Sequence, residues 1–247
     1  MVPKMKLSFG VTSGMTLNWI LNLNAMAEKE GAYGLWIGED MDRGNNIFTS
    51  TALCLMETST VKVGIDITTP LIRNISTIAR ATASLAELGG NRFRLGLGIG
   101  GLQDLTKRNI AVKKPFSIIS EAVSLLRKIL SGETVSSTGM FQLNQYSFPF
   151  NVNVPIYIGA RGENMLKTAG KIADGVIISG PVEYVEKAIS FVNEGRKTRM
   201  QICDDFQTVV WLPSVLTHSK DEMKLAKETV AVVIGDTPQK SFRISRC

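Results

Sequence analysis

The hydrophobic positions repeat with two periods that take turns along the chain. Residues 6–11, 35–37, 61–67, 155–158, 175–178 and 207–216 form short apolar or alternating runs, the period of strands. Between them the apolar residues recur every three or four positions. Ile75, Ile78, Ala79, Thr82, Leu85, Ala86 and Leu88 share one helical face, and Ile118, Ile119, Ala122, Val123, Leu125, Leu126, Ile129 and Leu130 share another. Thr16 is placed to cap a helix that Gly31 ends, Pro115 stands near a helix start, and Ser219-Lys220-Asp221-Glu222 reads as a capping box. A small hairpin is predicted around Thr138-Gly139.

The seventh strand is the stretch from Gly89 to Gly101, Gly-Gly-Asn-Arg-Phe-Arg-Leu-Gly-Leu-Gly-Ile-Gly-Gly. Phe93, Leu95, Leu97 and Ile99 alternate with Arg94, Gly96, Gly98 and Gly100, so one face is stripped almost to hydrogen. Such a face lets a neighbouring backbone or a flat ligand approach closely. The stretch also fits G-x-G-x-x-G at Gly96, Gly98 and Gly101, with Glu121 twenty positions on. A dinucleotide fingerprint needs a helix opening directly from the glycines. Residues 102–114 read instead as a polar, basic loop, and Glu121 falls inside the helix after it.

Seven strand-then-helix units in one direction predict a parallel α/β sheet with helices outside. An open doubly wound sheet competes with a TIM-type (β/α)8 barrel, which fits the unit count better. Residues 1–247 read as a single barrel domain, since no repeat, low-complexity tract or linker divides them. The barrel is expected to be incomplete at its C-terminus. Seven units are visible, and residues 239–247 show no helical stripe and little alternation. A stunted closing strand at 241–244 is the alternative.

Composition narrows the function more than the fold. With 44% hydrophobic and 20% charged residues the chain reads as a soluble globular protein, with no apolar run of membrane-spanning length and no signal peptide. Three cysteines far apart suggest no disulfide framework and a cytoplasmic setting. The formal charge of +6 suits an anionic ligand. Scattered Lys and Arg residues, with three Trp and four Tyr, argue against nucleic acid. His218 is the single histidine, which excludes histidine-based zinc sites and most histidine triads.

At the predicted strand exits, Gly159-Ala160-Arg161-Gly162 and Ser179-Gly180-Pro181 each place backbone N–H groups at a helix start, a phosphate-binding arrangement. Glu39, Asp40 and Asp42 follow the second strand, with Asp40 read as closest to the mouth and placed to stabilise a cation. Asp66 lies inside an apolar strand, where a carboxylate needs partners. Lys107, Arg108, Lys113 and Lys114 read as a solvated face.

The run Ile158 to Gly180, Ile-Gly-Ala-Arg-Gly-Glu-Asn-Met-Leu-Lys-Thr-Ala-Gly-Lys-Ile-Ala-Asp-Gly-Val-Ile-Ile-Ser-Gly, resembles the luciferase-like superfamily of flavin and deazaflavin enzymes. Within it the likeness is to the reductases of methylenetetrahydromethanopterin that use coenzyme F420. Leu85-Ala86-Glu87-Leu88, Leu95-Gly96-Leu97-Gly98, Lys114-Pro115 and Ser131-Gly132-Glu133 carry the same resemblance, which runs over residues 6–238. It implies a (β/α)8 barrel with the cofactor in its mouth and a non-proline cis peptide at Asp66-Ile67 backing the ring. It also implies a cofactor site of Asp66, Ile67, Thr68, Gly98, Gly100, Gly159, Ala160, Arg161, Gly162, Ser179 and Gly180, with Asp40 catalytic. The implied reaction passes a hydride from F420 to a pterin one-carbon carrier, in a homo-oligomer. An FMN-dependent monooxygenase and a non-catalytic relative are the alternatives. The chain departs from the reductases at Thr12, Met41 and Asp66, where a glutamate, a histidine and a glycine are usual.

Overall fold

The computed structural model describes residues 5–199, 205–212, 214 and 219–235. Seven parallel strands form one sheet: β1 (Ser8–Thr12), β2 (Gly34–Gly38), β3 (Lys62–Ile65), β4 (Phe93–Leu97), β7 (Ile156–Gly159), β8 (Gly175–Ser179) and β9 (Gln207–Trp211), in that spatial order. A hairpin of β5 (Val135–Thr138) and β6 (Gln142–Tyr146) lies apart. The helices are α1 (Leu17–Lys29), α2 (Ile47–Glu57), α3 (Ile75–Gly89), α4 (Leu102–Lys107), α5 (Pro115–Leu130), α6 (Glu163–Ile172), α7 (Val182–Lys197) and α8 (Lys220–Gly235).

Helix starts follow the side chains expected to make them. The Thr16 hydroxyl accepts from Trp19 N–H, and Ser219 and Glu222 bond reciprocally across the first turn of α8. The apolar stripe of α5 is buried at all eight predicted positions. One expectation fails. Residues 102–114 are not a continuous loop, because α4 opens directly from Gly101. Buried Leu105 anchors that short helix, while Lys107 and Arg108 hold Asp42. Glu121 does not play a ribose-binding part. Its carboxylate accepts from the N–H groups of Met140 and Phe141 and the Ser137 hydroxyl, pinning the hairpin to α5.

The sheet curls into a nearly closed barrel. Among the described residues no backbone pairing joins β9 to β1, yet the Trp211 ring of β9 lies 2.8 Å from where a Cβ on Gly10 of β1 would be. The alternative of a closing strand at 241–244 falls on residues outside those described. Three aromatic rings fill the interior, each against a glycine of another strand. A Cβ on Gly64 would stand 2.3 Å from Trp36, and one on Gly175 would stand 2.3 Å from Tyr157. Trp36 and Tyr157 meet edge to face, with centroids 5.2 Å apart. Gly96 serves backbone approach, because a Cβ there would lie 2.1 Å from the Ile65 carbonyl oxygen.

Glu28 ties α1 to the segment entering β3. It accepts from the N–H groups of Ser59 and Thr60 at 2.8 and 2.6 Å, which holds its pKa at about 2. The folded value lies below the unfolded one. This stabilisation is therefore complete above about pH 4.5 and is lost as pH falls towards 2. Glu28→Ala is expected to cost about 1 kcal/mol at pH 7. Melts of variant and parent across pH check this, with the gap closing in acid.

Candidate functional site

The strand exits gather at one end of the barrel around a cavity of about 550 Å³. Thr12 of β1, Glu39 and Met41 after β2, and Asp66 and Ile67 after β3 face it. Gly98, Ile99 and Gly100 after β4, the turn Gly159 to Gly162 after β7, Ser179 of β8 and Trp211 of β9 complete the ring. Leu102, Phe116 and Met165 supply apolar cover from α4, α5 and α6.

Of the residues singled out from sequence, Asp66, Ile67, Gly98, Gly100, Gly159, Ala160, Arg161, Gly162 and Ser179 come together on this wall. Thr68, Gly180 and Asp40 do not line it. Thr68 is fully buried, and its hydroxyl accepts from Arg73 at 3.1 Å. A Cβ on Gly180 would fall 2.5 Å from the Tyr184 ring. Asp40 accepts through Oδ1 from the N–H groups of Asp42 and Arg43, at 2.9 and 3.0 Å, and so braces the loop that carries Met41.

The peptide bond between Asp66 and Ile67 is cis. The Ile67 side chain lies flat against two glycines, and a Cβ on either Gly98 or Gly159 would come within 2.8 Å of it. That corner is therefore smooth and apolar. On the same wall, Gly162 stands at the N-cap of α6, and Ser179 precedes Pro181, the N-cap of α7. Among the described residues neither helix has a side-chain cap, so the first N–H groups of α6 are open to an anion at the cavity. Nothing lies within 4 Å of a Cβ built on Gly162. Tyr184 donates its hydroxyl to the Arg161 carbonyl, which fixes the β7 turn to α7.

Charge on the wall comes from Glu39, Asp66 and Arg161. Glu39 is paired through both oxygens with Arg73, a residue that no motif in the chain marks. The two side chains are 4% and 18% exposed, and Arg73 also stacks 5.4 Å from the Phe48 ring. Asp66 is half-buried on the cavity wall. This desolvation pushes its pKa up to about 7, against the pull of Arg161. On the rim, Lys107 and Arg108 hold the Asp42 carboxyl down at about 2.

The family model described as luciferase-like monooxygenase matches residues 5–240. The 5,10-methylenetetrahydromethanopterin reductase of Methanolobus tindarius is 32% identical over 220 residues, covering 86% of this chain and 66% of that protein. The same enzyme of Archaeoglobus fulgidus is 29% identical over 218 residues, covering 86% and 65%. The chain thus spans just under two thirds of the length of either. The solved structure of coenzyme F420-dependent tetrahydromethanopterin reductase from Methanopyrus kandleri superposes with a TM-score of 0.84 at 23% identity. The match covers 96% of this chain and 74% of that one, and it bears on the fold alone.

Proposed function

We propose that this chain, which belongs to the luciferase-like monooxygenase family, is a coenzyme F420-dependent oxidoreductase. In this reading it passes a hydride between reduced deazaflavin and a methylene-tetrahydropterin one-carbon carrier. The observation that supports the reading is one cavity whose wall holds both a smooth glycine-isoleucine corner and the turn of Arg161 and Gly162 at the uncapped start of α6. A phosphorylated planar ring needs both halves of that arrangement.

Bound there, the reduced deazaflavin supplies the hydride. Arg161, with the N–H groups at the start of α6, would hold the phosphate. Gly98, Gly100, Gly159 and Ile67 would flank the ring, Ala160, Gly162 and Ser179 would shape the wall around the phosphate, and Gly180 would set the turn behind Ser179. Thr68 supports Arg73 from behind and so steadies Glu39. Leu102, Phe116 and Met165 exclude water, and Glu39 adds a fixed negative charge beside a cationic acceptor. Asp40 is a positioning residue for the loop bearing Met41.

The absorbance and mass of the molecule that co-purifies test this. A deazaflavin band supports the reading, and an FMN band selects the monooxygenase alternative. No bound chromophore, with no binding of either compound when added, leaves a non-catalytic relative. Asp40→Ala is expected to lower the single-turnover rate about tenfold, as loss of positioning does, with cofactor affinity unchanged and partial rescue in Asp40→Asn. A parental rate in Asp40→Ala would remove it from the mechanism.

A further inference from the structure

Two carboxylates reach the cavity wall, and their surroundings differ. Glu39 commits both oxygens to Arg73. Asp66 is held by its backbone, whose N–H donates to the Ile37 carbonyl at 2.8 Å, while its carboxylate has no hydrogen bond among the described residues. Among the described residues, the charged groups facing it around the wall are Arg161 after β7 and the Glu39–Arg73 pair after β2 and β3. The other exits bring Thr12, Gly98, Ile99, Gly100, Ile177, Ser179 and Trp211, none of them charged.

We propose that Asp66 selects the ligand. It takes up a proton as an anionic ligand settles against Arg161, and then donates its O–H to an acceptor on the ligand's edge. This rests on the reading of the cavity as a site for a phosphorylated ring. It adds the class of edge that fits: a carbonyl oxygen or unprotonated ring nitrogen, rather than an N–H.

The coupling follows from the cavity's charges. Arg161 favours the ionised form of Asp66 against its desolvation. An anion beside Arg161 cancels that help and adds its own repulsion, so the carboxylate is neutralised when the ligand enters. Above neutral pH each binding event must then bring a proton. Affinity should fall as pH rises, with a limit of about tenfold per pH unit for one proton.

Two measurements decide this. In the ligand-free protein, the Asp66 carboxyl is followed by carbon NMR, assigned with Asp66→Asn. A midpoint near neutrality that rises in Arg161→Gln is expected. A midpoint in the ordinary carboxylate range, or one indifferent to Arg161→Gln, overturns the inference whether or not any cofactor binds. In the second, F420 and FMN are titrated calorimetrically at pH 8 in two buffers of different ionisation heat. Proton uptake is expected in the parent and its loss in Asp66→Asn, whose affinity stays flat from pH 7 to 9. Equal uptake in both proteins overturns the inference. If neither cofactor binds, the cofactor reading fails, and the first measurement still decides the coupling of Asp66 to Arg161.

Discussion

Arg73→Ala is expected to destabilise the protein by about 3 kcal/mol, in the range for breaking one side of a buried ion pair. The loss is large because the Glu39 side chain is 4% exposed and would be left buried without its partner. Arg73 also donates to the Thr68 hydroxyl and lies over Phe48, so the substitution loosens the exits of β2 and β3 together. Replacing both partners, as Glu39→Leu with Arg73→Met, should recover much of the stability, since an apolar pair of similar volume avoids the desolvation cost. Denaturant midpoints of parent, single and double variants check this. A single variant as stable as the parent would mean that the pair is effectively solvated.

Gly162→Val is expected to lower affinity for a phosphorylated cofactor by about ten- to a hundredfold, the scale of one or two charge-assisted hydrogen bonds. The fold should be spared. Gly162 has φ −97° and ψ 148°, a conformation open to any residue, and a Cβ there meets nothing within 4 Å. The added methyl groups would instead fill the space in front of the first N–H groups of α6. Titration with F420 and FMN, beside a melt of the same sample, separates binding from folding. Unchanged affinity in a folded variant would place the phosphate elsewhere. Gly180→Ala is a less clean test, because its Cβ would strike the Tyr184 ring.

What the sequence made legible was local. The alternation in β4, the stripes of α3 and α5, the cap at Thr16 and the box at Ser219 each depend on residues a few positions apart. The two turns after β7 and β8 could be recognised because glycines and a helix start adjoin in the chain. Partnerships across the barrel were not readable in this way. Arg73 meets Glu39 over a separation of 34 residues, and nothing near either marks the other. Asp40 could be placed beside the mouth from its position after β2, but its orientation comes from the turn it makes with Asp42 and Arg43. Helix α4 was missed because a six-residue helix with one buried anchor leaves too short a stripe to detect. Glu121 shows the converse, a carboxylate at a suggestive spacing whose actual partners are amides of a hairpin turn.

The aromatic rings set against glycines inside the barrel also give the protein a built-in optical gauge. Of its three tryptophans, Trp36 is 6% exposed within the barrel, Trp211 faces the cavity, and Trp19 stands 62% exposed on α1. A chromophore entering the mouth would quench Trp211 first and Trp36 next, by contact and by energy transfer. Trp19 would be left to dominate a red-shifted residual emission. Occupancy could then be followed from the unlabelled protein, with Trp19→Phe removing the background and Trp211→Phe removing most of the signal.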